Sequence, residues 1–567
     1  MSARTDDISK TGGLTDTLKR PIVFDGSANP VKTALFIIIC LAWLLPGLIG
    51  HDPWKPDEAQ AFGVIHSMLT EGHWLMPTIA GLPSFDYPPL YHWVAAFTAW
   101  MFSFALPLHD GARLASGLFM ALTLYFTHKT AKRLFDERAG RIAVLLLLGC
   151  LGLQERAHEM NPEVAGLAGL AIALYGMTRI RSEPGKGGRI TGAGMAVMAL
   201  AIGIVPALFI PMILVALMAF QRDWNNRVFR RGIFIAVGVA APFMALYPAL
   251  LATLLDIDSR MWIEGILAAP FLQEAGRQSI EPGYFLRTLP WYGLPVLPFA
   301  LWLWWQDREK LRERIELALP LVAFVILLGA IAFLREARSA YYVMLLPPLA
   351  LAAASSLDRL PRGLANLMDG FSLFLFGICM LGFWLYWTAA MTGVPAGAAN
   401  AVARQTPGFQ LPFNLFSFLI AASLTLVWLY AVIRAHRNNR RAIVNWAAGL
   451  TLVWGLLNLL ALPAFDHARS YRLVARDLAA QLPAARNCIA SQEVGEPQRA
   501  SFDYFAKLRF VPIGLAQRTD CEWLLTQGQK DRVPFVNGEW TLVWQGARPN
   551  DNVERFRLYR KAEPASL

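Results

Sequence analysis

Runs of roughly 18 or more predominantly apolar residues recur along this chain, and each is long enough to cross a hydrocarbon core of about 30 Å. Inside lipid, every backbone N–H and C=O must find a partner within its own segment, and for such runs the α-helix is the solution. The expectation is an α-helical polytopic membrane protein. Charge supports it: 16% of residues are charged, against about a quarter in an average soluble domain. The net charge of +11 does not point to nucleic acid. The basic residues sit in short clusters between apolar runs, as at His128, Lys129, Lys132 and Arg133, or Arg437, Arg440 and Arg441. Cytoplasmic loops look this way under the positive-inside rule, whereas a nucleic-acid surface would gather its cations on one soluble domain.

The clusters thread the chain through the membrane. Lys19, Arg20 and Lys32 place a polar N-terminal tail, residues 1–32, in the cytoplasm. No small-residue cleavage site precedes the first span, so that helix is expected to stay as an anchor. The first span, 33–50, runs outward, and 111–128 returns to the basic stretch at 128–141. Between them, 51–110 is expected to lie outside, with the aromatic-rich run 90–107 as an interfacial helix. Further spans follow at 139–155 and 164–180, then two short helices within 190–220 turning near Gly203 to Pro206. The rest are 232–254, 285–305, 317–334, 341–357, 370–391, 413–434 and 442–462. The total is about thirteen, an odd number. Residues 33–462 thus form the transmembrane domain, and 463–567 are expected in the periplasm as a small α/β domain. In that tail Tyr471 to Gln481 has helical periodicity, and Trp540 to Trp544 and Arg555 to Tyr559 have strand character. Cys488 and Cys521 share the tail and are free to pair there or not, since spacing alone does not decide it.

Three groups of residues could carry chemistry. Asp57 and Glu58 follow the first span directly. Carboxylates at a membrane surface are expensive near lipid and usually face a cavity, although Asp57 could equally cap the helix that follows it. Glu155, His158, Glu159 and Glu163 lie at the outer end of the 139–155 span and start the returning one. Glu163 could also simply complement the helix dipole. Two carboxylates converging on a cleft suit sugar transfer: one deprotonates an acceptor, the other orients it or holds a cation. External arginines form the third group: Arg335 and Arg338 between two spans, with Arg260, Arg277 and Arg287 in or beside the loop 255–284. Guanidinium groups match phosphate geometry, while lipid-headgroup snorkelling is the plainer alternative. His66, His73 and His92 show no zinc spacing, and no metal site is assigned. No nucleotide-binding glycine loop occurs, which argues against an ATP-driven transporter.

These residues resemble the bacterial branch of the protein mannosyltransferase family, including the lipid A aminoarabinose transferases, a GT-C membrane fold. The resemblance is carried by Pro56, Asp57 and Glu58, by Gly72, His73, Trp74 and Pro77, by the run from Phe85 to Trp93, and by Ala112, Arg113 and Leu114. Further on, Lys132 to Phe135 with Arg138, Ala139 and Gly140 matches an inner loop, and Ser339 to Leu351 matches a late helix. It implies a catalytic role for Asp57, with Glu58 as its acidic neighbour and Glu163 as the second-loop acid, Glu159 standing in reserve. It also implies that Arg338 lies near the carrier phosphate, and Arg335, Arg260, Tyr87, His92, Tyr342 and Glu159 are further candidate substrate-binding residues. Two positions depart from the aminoarabinose branch: Tyr87 where a lysine usually precedes the Pro-Pro pair, and Ile202 where a Lys-Gly pair is common. Each removes a positive charge.

The resulting expectation is a glycosyltransferase of the bacterial inner membrane. It would move a sugar from a polyprenyl-phosphate donor to a glycolipid, polysaccharide or protein at the periplasmic face, with inversion and Asp57 as the acceptor-activating carboxylate. No cofactor is required by this reading, and a divalent cation is left open. The competing readings are a transporter, which would place its site near the bilayer midplane between paired broken helices, and an assembly scaffold acting through residues 463–567.

Overall fold

A computed structural model describes residues 30–84, 86–221, 224–254, 282–332, 339–434, 440–484, 488–514, 519–532, 539–549 and 551–562. Six helices among them are long and apolar enough to span a membrane: Glu163–Ile180, Arg227–Thr253, Ile315–Ala332, Arg362–Thr392, Leu415–Arg434 and Arg441–Ala480. Shorter apolar helices at Thr33–Leu44, Ile204–Phe220 and Tyr341–Ser356 accompany them. Several expected spans are broken. The run at 139–155 is two helices, Glu137–Leu148 and Leu151–Arg156, parted at Gly149 and Cys150. The run at 285–305 is interrupted ahead of Pro295, which lacks the N–H that would continue the ladder, giving helices Pro282–Tyr292 and Val296–Gln306. The run at 190–220 is broken at Gly203, where a turn was expected. That residue takes φ +105°, a conformation glycine reaches without strain, and joins helices Pro184–Ile202 and Ile204–Phe220.

The segment after the first helix holds helix Asp57–Glu71, a two-stranded hairpin of β1 (Thr78–Ile79) and β2 (Leu82–Pro83), and helix Leu90–Phe102. The long helix Leu108–Leu134 follows. Together with Glu163–Ile180 these helices surround one apolar core that includes Trp43, Phe62, Ile65, Tyr91, Met120 and Leu167.

Toward the C-terminus, helix Arg441–Leu456 passes through a wide turn at 457–461 into helix Leu462–Arg469, so the boundary expected at 463 falls inside a continuing helical stretch. Beyond it, five strands form a sheet: β3 (Ile489–Gln492), β4 (Val511–Pro512), β5 (Trp523–Gln529), β6 (Trp540–Gly546) and β7 (Glu554–Lys561). The strand order is β4-β3-β5-β7-β6, with β3 parallel to β4 and β5, and β7 antiparallel to β5 and β6. Helices Arg472–Ala480 and Glu496–Ala506 belong with this sheet, around a second core of Tyr471, Leu478, Phe502, Phe556 and Leu558. Cys488 and Cys521 are disulfide-bonded.

This C-terminal unit grips the segment that follows the first helix. A methyl group built on Gly63 would lie 2.7 Å from Ala500 Cβ, so the bare glycine is what lets helices Asp57–Glu71 and Glu496–Ala506 approach so closely. Tyr504 stacks edge-on against Phe62 at 4.7 Å and its hydroxyl lies 3.0 Å from His109 Nδ1. Ion pairs Lys55–Glu554 (3.0 Å), Arg472–Asp52 and Arg509–Glu71 complete the contact.

Candidate active site

Asp57 is the first residue of its helix, one position inside the N-cap Pro56, and so is not itself the cap. Instead Oδ2 accepts from Arg156 at 2.5 Å, and the same guanidinium nitrogen reaches Glu159 Oε2 at 2.9 Å. The helix-cap reading of Asp57 is therefore not the arrangement found. Glu163 is the first-turn acid of the helix Glu163–Ile180. Asn161 Oδ1 accepts from the Val164 N–H at 3.1 Å, while its amide donates to the Arg156 carbonyl at 3.0 Å. Glu163, 5% exposed, accepts a 2.5 Å hydrogen bond from the Tyr87 hydroxyl.

Asp57, Tyr87, Asn161 and Glu163 meet at one cleft, partly open to solvent. Asp57, Tyr87, His92 and Glu163 line it, joined by Gln60, Ser84, Asp86 and Asn161. Gln60 donates to both Asp86 and Glu496, so the C-terminal unit reaches the edge of the cleft. Burial lowers the His92 pKa to about 4 and keeps the imidazole neutral. Burial also pushes the Glu159 carboxyl up to about 8, against the pull of Arg156. The cleft is rich in acceptors: three carboxylates border it, one of them fixed by a guanidinium from behind.

Glu58 stands apart. Neighbours on an α-helix point about 100° away from each other, so Asp57 and Glu58 cannot both face the cleft. Glu58 is 2% exposed and turned inward, where Oε1 accepts from Arg113 Nε at 2.8 Å and from the Met160 N–H at 3.1 Å. Arg113, wholly buried, also donates to Asp110 at 2.8 Å, and both Asp110 oxygens accept from the Gly50 N–H at 3.1 Å. Burial alone would raise the Glu58 pKa, but Arg113 holds it below the ordinary carboxylate value. The expected catalytic role does not fit a side chain so enclosed. Tyr342 does not line this cleft. It is wholly buried, its ring 5.5 Å from that of Tyr292, on a short 3-10 helix, Ser339–Leu345, that leads into the apolar helix Leu346–Ser356. Arg287 is exposed on its helix, and Arg335, Arg338, Arg260 and Arg277 lie outside the described residues.

Sequence reasoning missed Arg156 and Asp86. Arg156 carries the kind of signal that drew attention to Arg335 and Arg338, a guanidinium next to an expected outer loop, but it was hidden among the acids at 155–163. Asp86 sat unused within the Phe85 to Trp93 run.

The family model for dolichyl-phosphate-mannose-protein mannosyltransferase matches residues 86–246, which include Asp86, Tyr87, Arg156 and Glu163. The chain is 27% identical over 469 residues to an undecaprenyl phosphate-alpha-4-amino-4-deoxy-L-arabinose arabinosyl transferase of Pseudomonas aeruginosa, covering 78% of this chain and 77% of that protein. The protein of the same description from Aeromonas hydrophila is 30% identical over 354 residues, 59% of this chain and 61% of its own. In fold, the chain is similar to the crystal structure of ArnT from Cupriavidus metallidurans bound to undecaprenyl phosphate, with a TM-score of 0.68 at 17% identity, covering 94% of this chain and 98% of that one. Over most of its length, then, the chain is similar to enzymes described as arabinosyl transferases, and its fold is that of the Cupriavidus metallidurans structure.

Proposed function

We propose that the protein transfers a sugar from a polyprenyl-phosphate donor to an acceptor at the periplasmic face of the inner membrane, with inversion. The observation that carries this reading is the convergence of Asp57 and Glu163 on one cleft, with Asp57 held by Arg156. Relatives described as acting on an undecaprenyl-phosphate sugar, and a fold neighbour crystallised with undecaprenyl phosphate, favour a lipid-phosphate donor. With Oδ2 bound to Arg156, Asp57 Oδ1 remains to accept the proton of an acceptor hydroxyl as its oxygen attacks the anomeric carbon. The anomeric C–O bond breaks toward the lipid phosphate. A phosphate is a good leaving group, so charge stabilisation matters more than protonation. Arg338, with Arg335 and Arg260, is proposed to meet that charge. Glu163 and Tyr87 would orient the sugar, with His92 as a neutral wall of the same cleft. The acceptor is a glycolipid, polysaccharide or protein.

This reading takes the N-terminus as cytoplasmic, residues 463–567 as a periplasmic α/β domain and the bundle as about thirteen spans. Mass spectrometry of envelope glycolipids and glycoproteins from cells carrying wild-type or Asp57→Asn protein tests it. A glycosylated species present with the wild type and absent with the variant is expected, and identical profiles at equal protein levels would refute it.

A further inference from the structure

The buried carboxylate behind the cleft has a geometry that a mere fold-stabilising ion pair does not need. Glu58 Oε1 is shared between two donors on different parts of the chain: Arg113 Nε at 2.8 Å on helix Leu108–Leu134, and the Met160 backbone N–H at 3.1 Å. Its other oxygen accepts from the Trp54 N–H at 3.3 Å, just upstream of its own helix. Met160 lies between Arg156 and Glu159 on one side and Glu163 on the other. The same loop is pinned a second time, where Ser116 Oγ donates to the Glu159 carbonyl at 2.7 Å while 2.7 Å from the Tyr91 hydroxyl. Burying an ion pair returns little net stability, because desolvation offsets the attraction. What the arrangement does supply is register.

We propose that Glu58 is a positioning residue, setting the distance between Asp57 on its helix and the loop that presents Arg156 and Glu163. The inference rests on Asp57 being the acceptor-activating carboxylate. It assigns Glu58 no contact with substrate. Reach, more than charge, is the property that matters: the carboxylate must extend far enough to hold Arg113 and the Met160 amide together. Displacements near 1 Å at a reacting centre are enough to lower a rate by about 100-fold.

The experiment uses the full-length purified protein in lipid nanodiscs, with an undecaprenyl-phosphate-linked sugar as donor, and compares Glu58→Asp, Glu58→Gln and Asp57→Asn. Glu58→Asp keeps the charge and shortens the reach. Its kcat per folded molecule is expected to fall by about tenfold or more while the donor KM stays within about twofold. Glu58→Gln keeps the length and an acceptor oxygen, and is expected to restore kcat to within about threefold of wild type. The proposal is overturned if Glu58→Asp matches the wild type per folded molecule, or if Glu58→Gln loses as much as Glu58→Asp. If Glu58→Asp does not accumulate, amide exchange in residues 157–162 of Glu58→Gln replaces it. Wild-type protection is expected, and lost protection with unchanged kcat would overturn the proposal. Should Asp57→Asn retain full transfer, the underlying assignment of Asp57 fails instead, whatever Glu58 does.

Discussion

Two helices of this chain are equally able to cross a membrane and differ in almost everything else. Glu163–Ile180 is mostly enclosed by protein, starts with a carboxylate in the cleft, and packs on neighbours along most of its length. Arg362–Thr392 is longer, yet only Ala365, Ser372, Phe376 and Ala389 along it are buried, and Leu367, Phe374 and Leu381 are among its exposed apolar residues. The first is fixed on several sides by polar contacts, including Asn161 at its start and Tyr87 on its first residue. The second presents a generic apolar surface of the kind lipid requires. Sites that demand fixed geometry are built from elements locked on more than one side, so chemistry is expected at the first helix and tolerance at the second.

Substitutions can break or sharpen that contrast. The largest stability effect is expected from Arg113→Met, which would strand Glu58 and Asp110 as buried carboxylates without their cation. Breaking a buried pair in this way costs about 3–5 kcal/mol, visible as a large fall in the thermal midpoint and in folded yield. Gly63→Val comes next. Its side chain would enter the space held by Ala500, where even a methyl lies at 2.7 Å, and overpacking of this kind costs about 1–3 kcal/mol. The thermal midpoint should fall and limited proteolysis should release the C-terminal unit sooner.

A smaller effect concerns pH. The Glu159 pKa is raised to about 8 by burial from the ordinary 4.5. Between those values the folded state holds a proton that the unfolded chain has lost. The associated stability is present at low pH and lost as pH rises through about 8. Wild-type thermal midpoints should therefore decline across that range more than those of Glu159→Gln, and equal slopes would remove Glu159 as the cause. At the far end, Phe374→Ala on the lipid-type surface, 69% exposed, should change stability by less than about 0.5 kcal/mol and leave transfer unaltered. A strong defect there would erase the distinction between the two helices.

The sequence was most informative where one physical rule acts alone. Apolar length located Glu163–Ile180 and Leu415–Arg434 to within two residues, and strand character at Trp540 to Trp544 and Arg555 to Tyr559 fell inside β6 and β7. It was less informative where tertiary contacts decide. Whether Asp57 capped its helix or faced a partner depended on Arg156, and nothing local signals that guanidinium's reach. Adjacent carboxylates looked equivalent in sequence, but a rotation of about 100° per residue sends Asp57 to the cleft and Glu58 to Arg113. Nothing in the motif around Tyr342 marks its burial. The disulfide between Cys488 and Cys521 needed two strands' neighbours to be brought together before it could be seen.

The most direct test is single-turnover transfer by purified protein, with an undecaprenyl-phosphate-linked sugar whose label reports cleavage of the anomeric bond. Wild type should release lipid phosphate and label acceptor together, and Asp57→Asn should do so roughly 100-fold or more slowly while still binding donor. Unchanged single-turnover kinetics in Asp57→Asn would contradict the account, since no other carboxylate here is both exposed to the cleft and held by Arg156 among the described residues.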